Sequence, residues 1–332
     1  MEKRIVVVIK SYSQNNLDFV QVSNETFSVT FCNLGASIYS IEFLGKQMLM
    51  TLKDTKDFWN EKLYHGKTIG RTANRIKGDL VEICGNSYKI SQNEYGNTLH
   101  GGAEGLSTKL FKIDVKEGSN NTKVIYKYSS KNGESGFPGL LKIKVTYIVP
   151  NEGSKLKVKY EAKTNKPTLC DLTNHAFFTL GEQNLNGLKL KIKASNYLLA
   201  SEDELLPISK EPIIRELKFN SYKNITKHLH SKNIEKGKAN GYDHYFYFDE
   251  ISKKPQVYLK GQEVVLKIKT DFEGVQIYSD NYEDAYSWIG VTGSRNRSSA
   301  IEPMDDYLNR KVLEPNTKYS RYIEYKFESL TK

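Results

Sequence analysis

Residues 141–164 read LKIKVTYIVPNEGSKLKVKYEAKT, and their pattern indicates the fold class. Apolar and polar residues alternate along residues 141–149 and again along residues 155–163. Successive side chains of a strand point to opposite faces of a sheet, so a period of two is typical of half-buried strands. The apolar positions are Leu141, Ile143, Val145, Tyr147 and Val149, then Leu156, Val158, Tyr160 and Ala162. Pro150–Gly153 between the two runs supplies turn residues, so the stretch predicts an antiparallel hairpin.

The same alternation recurs elsewhere in the chain. It is found at Leu188, Leu190 and Ile192, and at Ile323, Tyr325 and Phe327. No stretch of a dozen residues has a convincing helical period, and plausible helices are short, for example around Tyr222 to Ser231. No linker or internal repeat divides the chain. We therefore predict an all-β fold, a large antiparallel β-sandwich with few short helices, forming a single domain over residues 1–332.

The charge pattern argues against a nucleic-acid partner. The 332 residues carry a formal charge of +10, from 49 basic and 39 acidic residues, and only eight of the basic residues are Arg. Lys alternates with apolar residues in segments such as Lys155–Tyr160, which places it on a solvent face. A nucleic-acid binder clusters its basic residues and favours Arg. Whether the protein is a monomer or a homodimer stays open.

The cysteines indicate a reducing compartment, and the hydropathy pattern predicts neither a signal peptide nor a membrane span. Cys32, Cys84 and Cys170 form no C-x-x-C pair, so we expect buried free thiols and neither a disulfide framework nor a zinc site. The segment MEKRIVVVIK (Met1–Lys10) has an apolar run that is too short for a signal peptide. No segment approaches the roughly 18 apolar residues of a membrane span. We expect a cytoplasmic protein without a membrane partner.

Motifs that bind common cofactors do not occur in the sequence. There is no G-x-G-x-x-G after a strand, no G-x-x-x-x-G-K-[ST], no H-E-x-x-H and no G-x-S-x-G. Nicotinamide, ATP, zinc-protease and α/β-hydrolase interpretations therefore lose their usual support. We expect neither a cofactor nor a metal.

Two segments in the first third of the chain combine Arg or His with Gly and Asn. GRTANRI (Gly70–Ile76) holds two of the eight Arg, whose guanidinium forks suit hydroxyl and ring oxygens. GNTLHGG (Gly96–Gly102) places a His before two Gly, where the backbone can turn sharply and approach a ligand closely. Taken singly, surface arginines and a tight turn explain these segments as well.

Three later segments carry the remaining candidate groups. LTNHAFF (Leu172–Phe178) sets a His among small polar and aromatic residues, which suits a general acid. GYDHYF (Gly241–Phe246) flanks a carboxylate with rings that could stack on a sugar. SAIEPM (Ser299–Met304) holds a Glu between apolar residues, and partial burial would raise its pKa toward that of a general base. A hydrogen-bonded core His, a turn Asp and an ion-paired strand-end Glu are the alternatives.

Taken together and in this order, these segments resemble the aldose 1-epimerase (galactose mutarotase) family. The matches are GRTANRIKG, GNTLHGG, LTNHAFFTL, GYDHYFYFD, GVQIYSDNY and AIEPMDD, with LGAS near the start and LEPN near the end. The resemblance covers nearly the whole chain. It implies the supersandwich of galactose mutarotases with a sugar cleft on one face. It also implies that the chain interconverts the α and β anomers of an aldohexose such as galactose or glucose.

The resemblance further implies roles for single residues. His175 matches the family's proton donor, Glu302 its proton acceptor and His100 a second histidine at the sugar. Sugar-binding positions are matched by Asn74, Arg75, Asp243 and Gln276, and Arg71 lies near enough in sequence to join them. We expect His175 and Glu302 to face each other across a gap the width of a pyranose.

The chemistry of anomer exchange explains why one acid and one base suffice. A base takes the proton of the C1 hydroxyl while an acid protonates the ring oxygen, and the ring opens. The aldehyde rotates about the C1–C2 bond, and reclosure gives the other anomer with the two groups in exchanged roles. No electrons leave the sugar, and each proton transfer contributes on the order of 10²–10⁴-fold. We expect a protonated His175 and an ionised Glu302 near pH 7.

Two other functions stay open. A hexose-6-phosphate 1-epimerase would need cationic residues at the far end of the cleft, and Arg295 and Arg297 are the candidates. A non-catalytic carbohydrate-binding protein on the same fold would need the Arg, Asp and aromatic residues, but not a His and a Glu at one sugar. A glycoside hydrolase is disfavoured because no convincing second carboxylate pairs with Glu302.

Overall fold

The structure is a computed structural model that describes residues 7–235, 237–251 and 253–331. Met1–Val6, which includes part of the N-terminal apolar run, therefore lies outside the described residues. Among the described residues, no helix has the length and apolar character needed to cross a bilayer.

The described residues form thirty strands. The first fifteen are β1 (Val8–Gln14), β2 (Leu17–Ser23), β3 (Phe27–Cys32), β4 (Ser37–Phe43), β5 (Lys46–Gln47), β6 (Thr51–Leu52), β7 (Thr68–Ile69), β8 (Arg75–Ile76), β9 (Leu80–Ile83), β10 (Asn86–Lys89), β11 (Thr98–Leu99), β12 (Lys112–Glu117), β13 (Asn121–Ser130), β14 (Leu141–Pro150) and β15 (Lys155–Thr164). The others are β16 (Thr168–Leu169), β17 (Thr173–Asn174), β18 (Phe177–Phe178), β19 (Lys189–Ile192), β20 (Ala194–Ala200), β21 (Pro207–Pro212), β22 (Lys223–Asn224), β23 (Asp243–Phe248), β24 (Val257–Lys260), β25 (Val264–Thr270), β26 (Gly274–Tyr278), β27 (Trp288–Ile289), β28 (Ser299–Met304), β29 (Val312–Leu313) and β30 (Tyr319–Ser329).

The helices of the described chain are short 3-10 segments of three to five residues. They are Thr55–Trp59, Leu106–Thr108, Glu134–Gly136, Leu185–Gly187 and Arg215–Leu217. The expected helix around Tyr222–Ser231 is wrong, because β22 and a series of turns occupy these residues. The side chain of Asn224 accepts the backbone N–H of Thr226 at 2.8 Å. This local bond competes with helical hydrogen bonding and favours a turn.

The hairpin predicted from residues 141–164 is present in the interior of a nine-stranded antiparallel sheet. Strand β14 pairs with β15 in a register that sets Val145 opposite Tyr160 and Tyr147 opposite Val158. The order of this sheet is β12-β13-β14-β15-β30-β25-β24-β19-β22. The apolar set faces the core, since Leu141, Val145, Tyr147 and Val158 are fully buried.

Two further sheets complete the large architecture. A six-stranded sheet has the order β18-β28-β26-β23-β20-β21, and a five-stranded sheet runs β1-β2-β3-β4-β5. All their strand pairs are antiparallel. Apolar residues from all three sheets meet in one buried cluster, in which Val29, Val145 and Ile301 are fully buried. The fold class, an all-β sandwich, is therefore confirmed, whereas the single-domain organisation stays a prediction.

The thiols differ in environment more than expected. Cys32 and Cys170 are buried and free, as predicted, but Cys84 is exposed, so its expected burial is wrong. Cys84 immediately follows β9 and precedes Gly85, in the tight turn to β10. A turn between two short strands of a surface hairpin leaves this side chain no core to enter.

Candidate active site

Three neighbouring strands of the six-stranded sheet place polar side chains in one row. Glu302 of β28 lies directly opposite Gln276 of β26. Gln276 in turn donates from Nε2 to Oδ1 of Asp243 at 2.5 Å, and Asp243 begins the next strand, β23. Adjacent strands lie about 4.8 Å apart, so Glu302 and Asp243 are borne by strands roughly 10 Å apart.

This row forms the floor of a cleft of about 670 Å³, counting its open mouth. The lining residues are Lys62, Leu63, Tyr64, Asn74, Arg75, Glu94, Leu99, His100, His175, Phe177, Asp243, Gln276, Tyr278, Tyr282 and Glu302. Seven of the eight predicted site residues are therefore brought together, and their roles stay predictions.

His175 and Glu302 are in direct contact. His175 Nε2 lies 3.3 Å from Glu302 Oε1, and both side chains are buried, with relative exposures of 8% and 2%. The expected gap of pyranose width is therefore wrong. The C1 hydroxyl and the ring oxygen are bonded to the same carbon, so groups that serve these two oxygens must converge.

The backbone on both sides of His175 is fixed. Its N–H donates to the carbonyl of Lys67 at 3.0 Å, and its carbonyl accepts the N–H of Gly66 at 3.0 Å. The neighbouring Asn174 donates from Nδ2 to the carbonyl of Gly66 at 2.6 Å. These bonds extend the pairing of β17 with β7 and hold the imidazole at the end of the cleft.

Burial decides the protonation state of the pair. It lowers the pKa of His175 to about 3 and, with a contribution from the charge of Asp243, raises the pKa of Glu302 well above its usual value. In the absence of sugar, the expectation of a charged His175 and an ionised Glu302 is therefore corrected to a neutral imidazole beside a protonated carboxyl. An ion pair would hold the same single proton, so the two arrangements differ only in where that proton lies.

His100 is held in one tautomer. Its Nδ1 accepts the backbone N–H of Asn74 at 3.1 Å. Burial lowers the pKa of His100 well below its usual value, so the ring is neutral and its proton lies on Nε2. The ring stands edge-on to His175, with centroids 5.4 Å apart. His100 can therefore donate a hydrogen bond from Nε2 to a ligand in the cleft.

The turn after His100 requires glycine. Gly101 has φ +91°, and a Cβ there would lie 2.0 Å from the carbonyl oxygen of Gly70. This close approach packs the His100 segment against the Gly70–Asn74 segment, from which the N–H of Asn74 reaches the imidazole.

His100, His175 and Glu302 also have the composition of a metal site. Their nearest donor atoms lie within 4.8 Å of one another. A metal binds the lone pair of an unprotonated imidazole nitrogen, but Nδ1 of His100 is engaged by Asn74 and Nε2 carries the proton. The hydrogen-bonding pattern therefore favours a donor to sugar oxygens and not a metal ligand.

The other end of the cleft holds a network of charged and amide groups. Arg75 donates from Nε and Nη2 to the two oxygens of Glu94, at 2.6 and 3.0 Å. Its Nη1 lies 3.5 Å from Oδ2 of Asp243. Asn74 donates from Nδ2 to Oε1 of Gln276 at 3.2 Å. The network fixes the orientation of the amides and leaves part of the guanidinium edge free to donate to hydroxyl groups.

Arg71 does not line the cleft, so its expected place at the sugar is corrected. Its Nε donates to Ser130 Oγ at 3.0 Å, and its Nη1 donates to the carbonyl of Pro138 at 2.7 Å. Its Nη2 donates to the carbonyls of Ser130 and Lys131 at 3.0 and 2.7 Å. With 3% exposure, Arg71 is a structural residue that holds the segment between β13 and β14.

Several cleft residues were missed in the sequence. Glu94 and Tyr64 line the cleft although no motif included them. Tyr282, the last residue of GVQIYSDNY, also lines it, although no role was predicted for it. The ring of Tyr64 stands edge-on to His100 with centroids 4.8 Å apart. Glu94 could have been found as the only carboxylate in the polar run that leads to His100. Of the aromatic residues in LTNHAFF and GYDHYF, Phe177 lines the cleft, whereas Tyr242 and Tyr245 are buried away from it.

The two cations considered for a phosphate do not line the cleft. Arg297 is buried, with Nε 2.6 Å from Asp280 Oδ2 and Nη2 2.5 Å from Asp284 Oδ2. Arg295 is exposed on the same loop. The charge of Arg297 is thus balanced inside the protein.

Comparison with known proteins agrees with the geometry. The model of the family described as aldose 1-epimerase matches residues 18–326. The galactose mutarotase of Sus scrofa is 29% identical over 287 residues, which cover 82% of this chain and 80% of that protein. The aldose 1-epimerase of Escherichia coli strain K12 is 26% identical over 337 residues, covering 92% and 93%.

Solved structures show the same fold. The crystal structure of galactose 1-epimerase from Lactobacillus acidophilus has a TM-score of 0.86 at 23% identity, covering 98% of this chain and 99% of that one. The aldose epimerase homologue from C. elegans has a TM-score of 0.81 at 21% identity, covering 98% and 100%.

Proposed function

The chain belongs to the aldose 1-epimerase family and is an isomerase that interconverts the α and β anomers of an aldose, and we propose that His175 and Glu302 carry its two proton transfers. The observation that carries this proposal is the 3.3 Å contact between His175 Nε2 and Glu302 Oε1 at the buried end of the cleft. His100 lies close to this pair, with the nearest donor atoms of the three side chains within 4.8 Å of one another, and as a neutral donor it can assist a proton transfer without carrying it.

The single proton of the pair suits the reaction. Ring opening takes one proton from the C1 hydroxyl and gives one to the ring oxygen, so the sugar's proton count is unchanged. When a sugar enters, its oxygens replace the His175–Glu302 contact, and the proton passes to the imidazole. Glu302 then accepts the hydroxyl proton as His175 protonates the ring oxygen, and reclosure reverses both transfers.

The rest of the cleft orients the ring. The strands that bear Glu302 and Asp243 flank the strand of Gln276, which leaves a floor that suits a single sugar ring. His100 donates from Nε2, and Arg75, Asp243, Gln276 and Asn74 supply directional hydrogen bonds at the end remote from C1. Fixing the anomeric carbon beside the acid and base converts two encounters into one oriented event.

Polarimetry tests this assignment. Fresh α-D-galactose or α-D-glucose should mutarotate faster with the protein than in buffer. His175→Ala and Glu302→Gln should each lower kcat by about 10²–10⁴-fold. His230→Ala and Glu235→Gln are matched controls, because these two form an exposed contact with each other outside the cleft. Tight sugar binding without faster mutarotation by the unaltered protein would instead identify a carbohydrate-binding protein.

The cytoplasm is our proposed location. Two buried free thiols and an exposed third one, Cys84, fit a reducing compartment. A small-molecule sugar is the proposed partner. Fractionation of the source cells, with an assay of mutarotation in each fraction, would test the location.

A further inference from the structure

We propose that Glu94 is a specificity-determining residue that makes the cleft selective for uncharged aldoses against aldoses with an anionic substituent, such as a uronate or a sugar phosphate. The inference rests on the proposed function and narrows its substrate class. It begins from the contact of Glu94 with Arg75, the arginine that lines the cleft.

Glu94 occupies the side of Arg75 that an anion would otherwise use. A guanidinium binds a carboxylate or phosphate with two parallel N–H groups. In Arg75 the Nε and Nη2 edge already makes that two-pronged contact, with the oxygens of Glu94 at 2.6 and 3.0 Å. A substrate carboxylate would have to displace Glu94, whereas a neutral hydroxyl needs only one of the remaining N–H groups.

The charge of this end of the cleft is negative. Arg75 supplies one positive charge, and Glu94 and Asp243 each supply one negative charge at 2.6 and 3.5 Å from it. The side chains of Arg75, Glu94 and Asp243 are only 10%, 20% and 11% exposed, so water screens their charges weakly. A bound anion would therefore meet a net repulsion that a neutral sugar does not.

The other cations near this end of the cleft have acidic groups close to them or are exposed to water, so they do not offset this repulsion. Arg297 is committed to Asp280 and Asp284. Arg310 donates to the carbonyls of Ala73 and Arg75 behind the cleft, and the carboxyl groups of Asp171 and Asp306 lie near its charge. Lys62 lines the cleft, but it is exposed at the mouth, where solvent and salt screen it. The net charge at the sugar-binding end of the cleft therefore depends on Glu94.

The test compares two sugars that differ mainly in one carboxylate. The rates of mutarotation of D-galactose and D-galacturonate are measured by polarimetry at pH 7, and their ratio of kcat/KM is the readout. In the unaltered protein, galactose should be strongly preferred. Glu94→Gln, which keeps the shape and removes the charge, should raise the galacturonate/galactose ratio by about tenfold or more.

Three further variants separate charge from positioning. Glu94→Asp keeps the charge but cannot reach Arg75 in the same way, so the ratio should stay within about twofold of the unaltered protein even if both rates fall. Glu94→Ala should raise the ratio as Glu94→Gln does, and it replaces that variant if Gln prevents folding. Glu82→Gln, an exposed Glu outside the cleft, controls for the change in net charge.

The outcomes are distinct. An unchanged ratio in Glu94→Gln and Glu94→Ala, or an equal rise in Glu82→Gln, would overturn the proposal. So would an unaltered protein that turns over galacturonate as readily as galactose. A protein that accelerates neither sugar would contradict the proposed function itself, which is a separate failure.

Discussion

The backbone N–H of Asn74 donates a hydrogen bond to Nδ1 of His100 at 3.1 Å. This bond sets the tautomer of a histidine that otherwise completes a set of three metal-binding side chains with His175 and Glu302. It leaves a protonated Nε2 in the cleft, which can donate to a sugar oxygen but cannot ligate a metal. The consequence can be measured by metal removal.

Removal of metals should leave catalysis intact. Treatment with EDTA followed by dialysis should change kcat/KM for galactose by less than about twofold, because proton transfer uses only His175 and Glu302. Polarimetry before and after treatment provides the measurement. Activity that disappears with EDTA and returns with Zn²⁺ would show that the reaction needs a metal, contrary to the proposed use of His175 and Glu302 alone.

The pH dependence should report the shared proton. With their usual pKa values of 6.5 and 4.5, a separate histidine and glutamate would support the reaction only between those values, and the rate would fall above pH 6.5. Burial instead lowers the pKa of His175 to about 3 and raises that of Glu302. The pair thus gains a second proton only in strong acid and loses its last proton only above the usual range.

We therefore expect kcat/KM to show no descending limb at the usual histidine pKa of 6.5, since the raised pKa of Glu302 lets the pair keep its proton there. The measurement is polarimetry in a series of buffers, with the buffer-catalysed rate subtracted at each pH. A descending limb centred near pH 6.5 would mean that His175 titrates as an independent solvated group, contrary to its burial beside Glu302.

Arg71 should affect stability and not sugar binding. Its guanidinium makes hydrogen bonds to Ser130, Lys131 and Pro138 and is 3% exposed. Arg71→Ala leaves buried carbonyls without donors, so the free energy of unfolding should fall by about 3 kcal/mol or more. Urea unfolding measures this fall, and the exposed Arg215→Ala is the control. If Arg71→Ala left the free energy of unfolding unchanged but greatly raised KM, Arg71 would instead be a sugar-binding residue.

The sequence predicted the fold because strand alternation is local. The run from Leu141 to Thr164 specifies both faces of its hairpin, and the sheet pairs it in that register. The ordered motifs likewise predicted that His100, His175 and Glu302 lie together, and all three line one cleft. Both results need only residue types and their order.

The predictions that were wrong concerned the positions of side chains in three dimensions. Arg71 and Arg75 share one motif, yet Asn74 between them has φ +58°, and the two guanidinium groups end in different environments. The motif alone does not give that turn. Direct contact of His175 with Glu302 likewise depends on the pairing of β18, which follows His175, with β28, which bears Glu302. That pairing joins segments far apart in the chain.

Arg310 gives a final prediction, because it supports the sugar-binding segment from behind. Its Nη2 donates to the carbonyls of Ala73 and Arg75 at 2.8 and 3.1 Å, on either side of Asn74. Arg310→Gln should let Asn74 and Arg75 shift while the backbone bonds of His175 remain. KM for galactose should therefore rise about tenfold, and kcat should change much less.

Steady-state polarimetry over a range of galactose concentrations separates the two constants for Arg310→Gln. Arg310→Lys retains the positive charge and a nitrogen that can donate, and it should recover part of the lost affinity, whereas the exposed Arg215→Gln should leave both constants unchanged. If kcat fell as far as kcat/KM while KM stayed constant, Arg310 would act on the His175–Glu302 pair and not on the residues that hold the sugar.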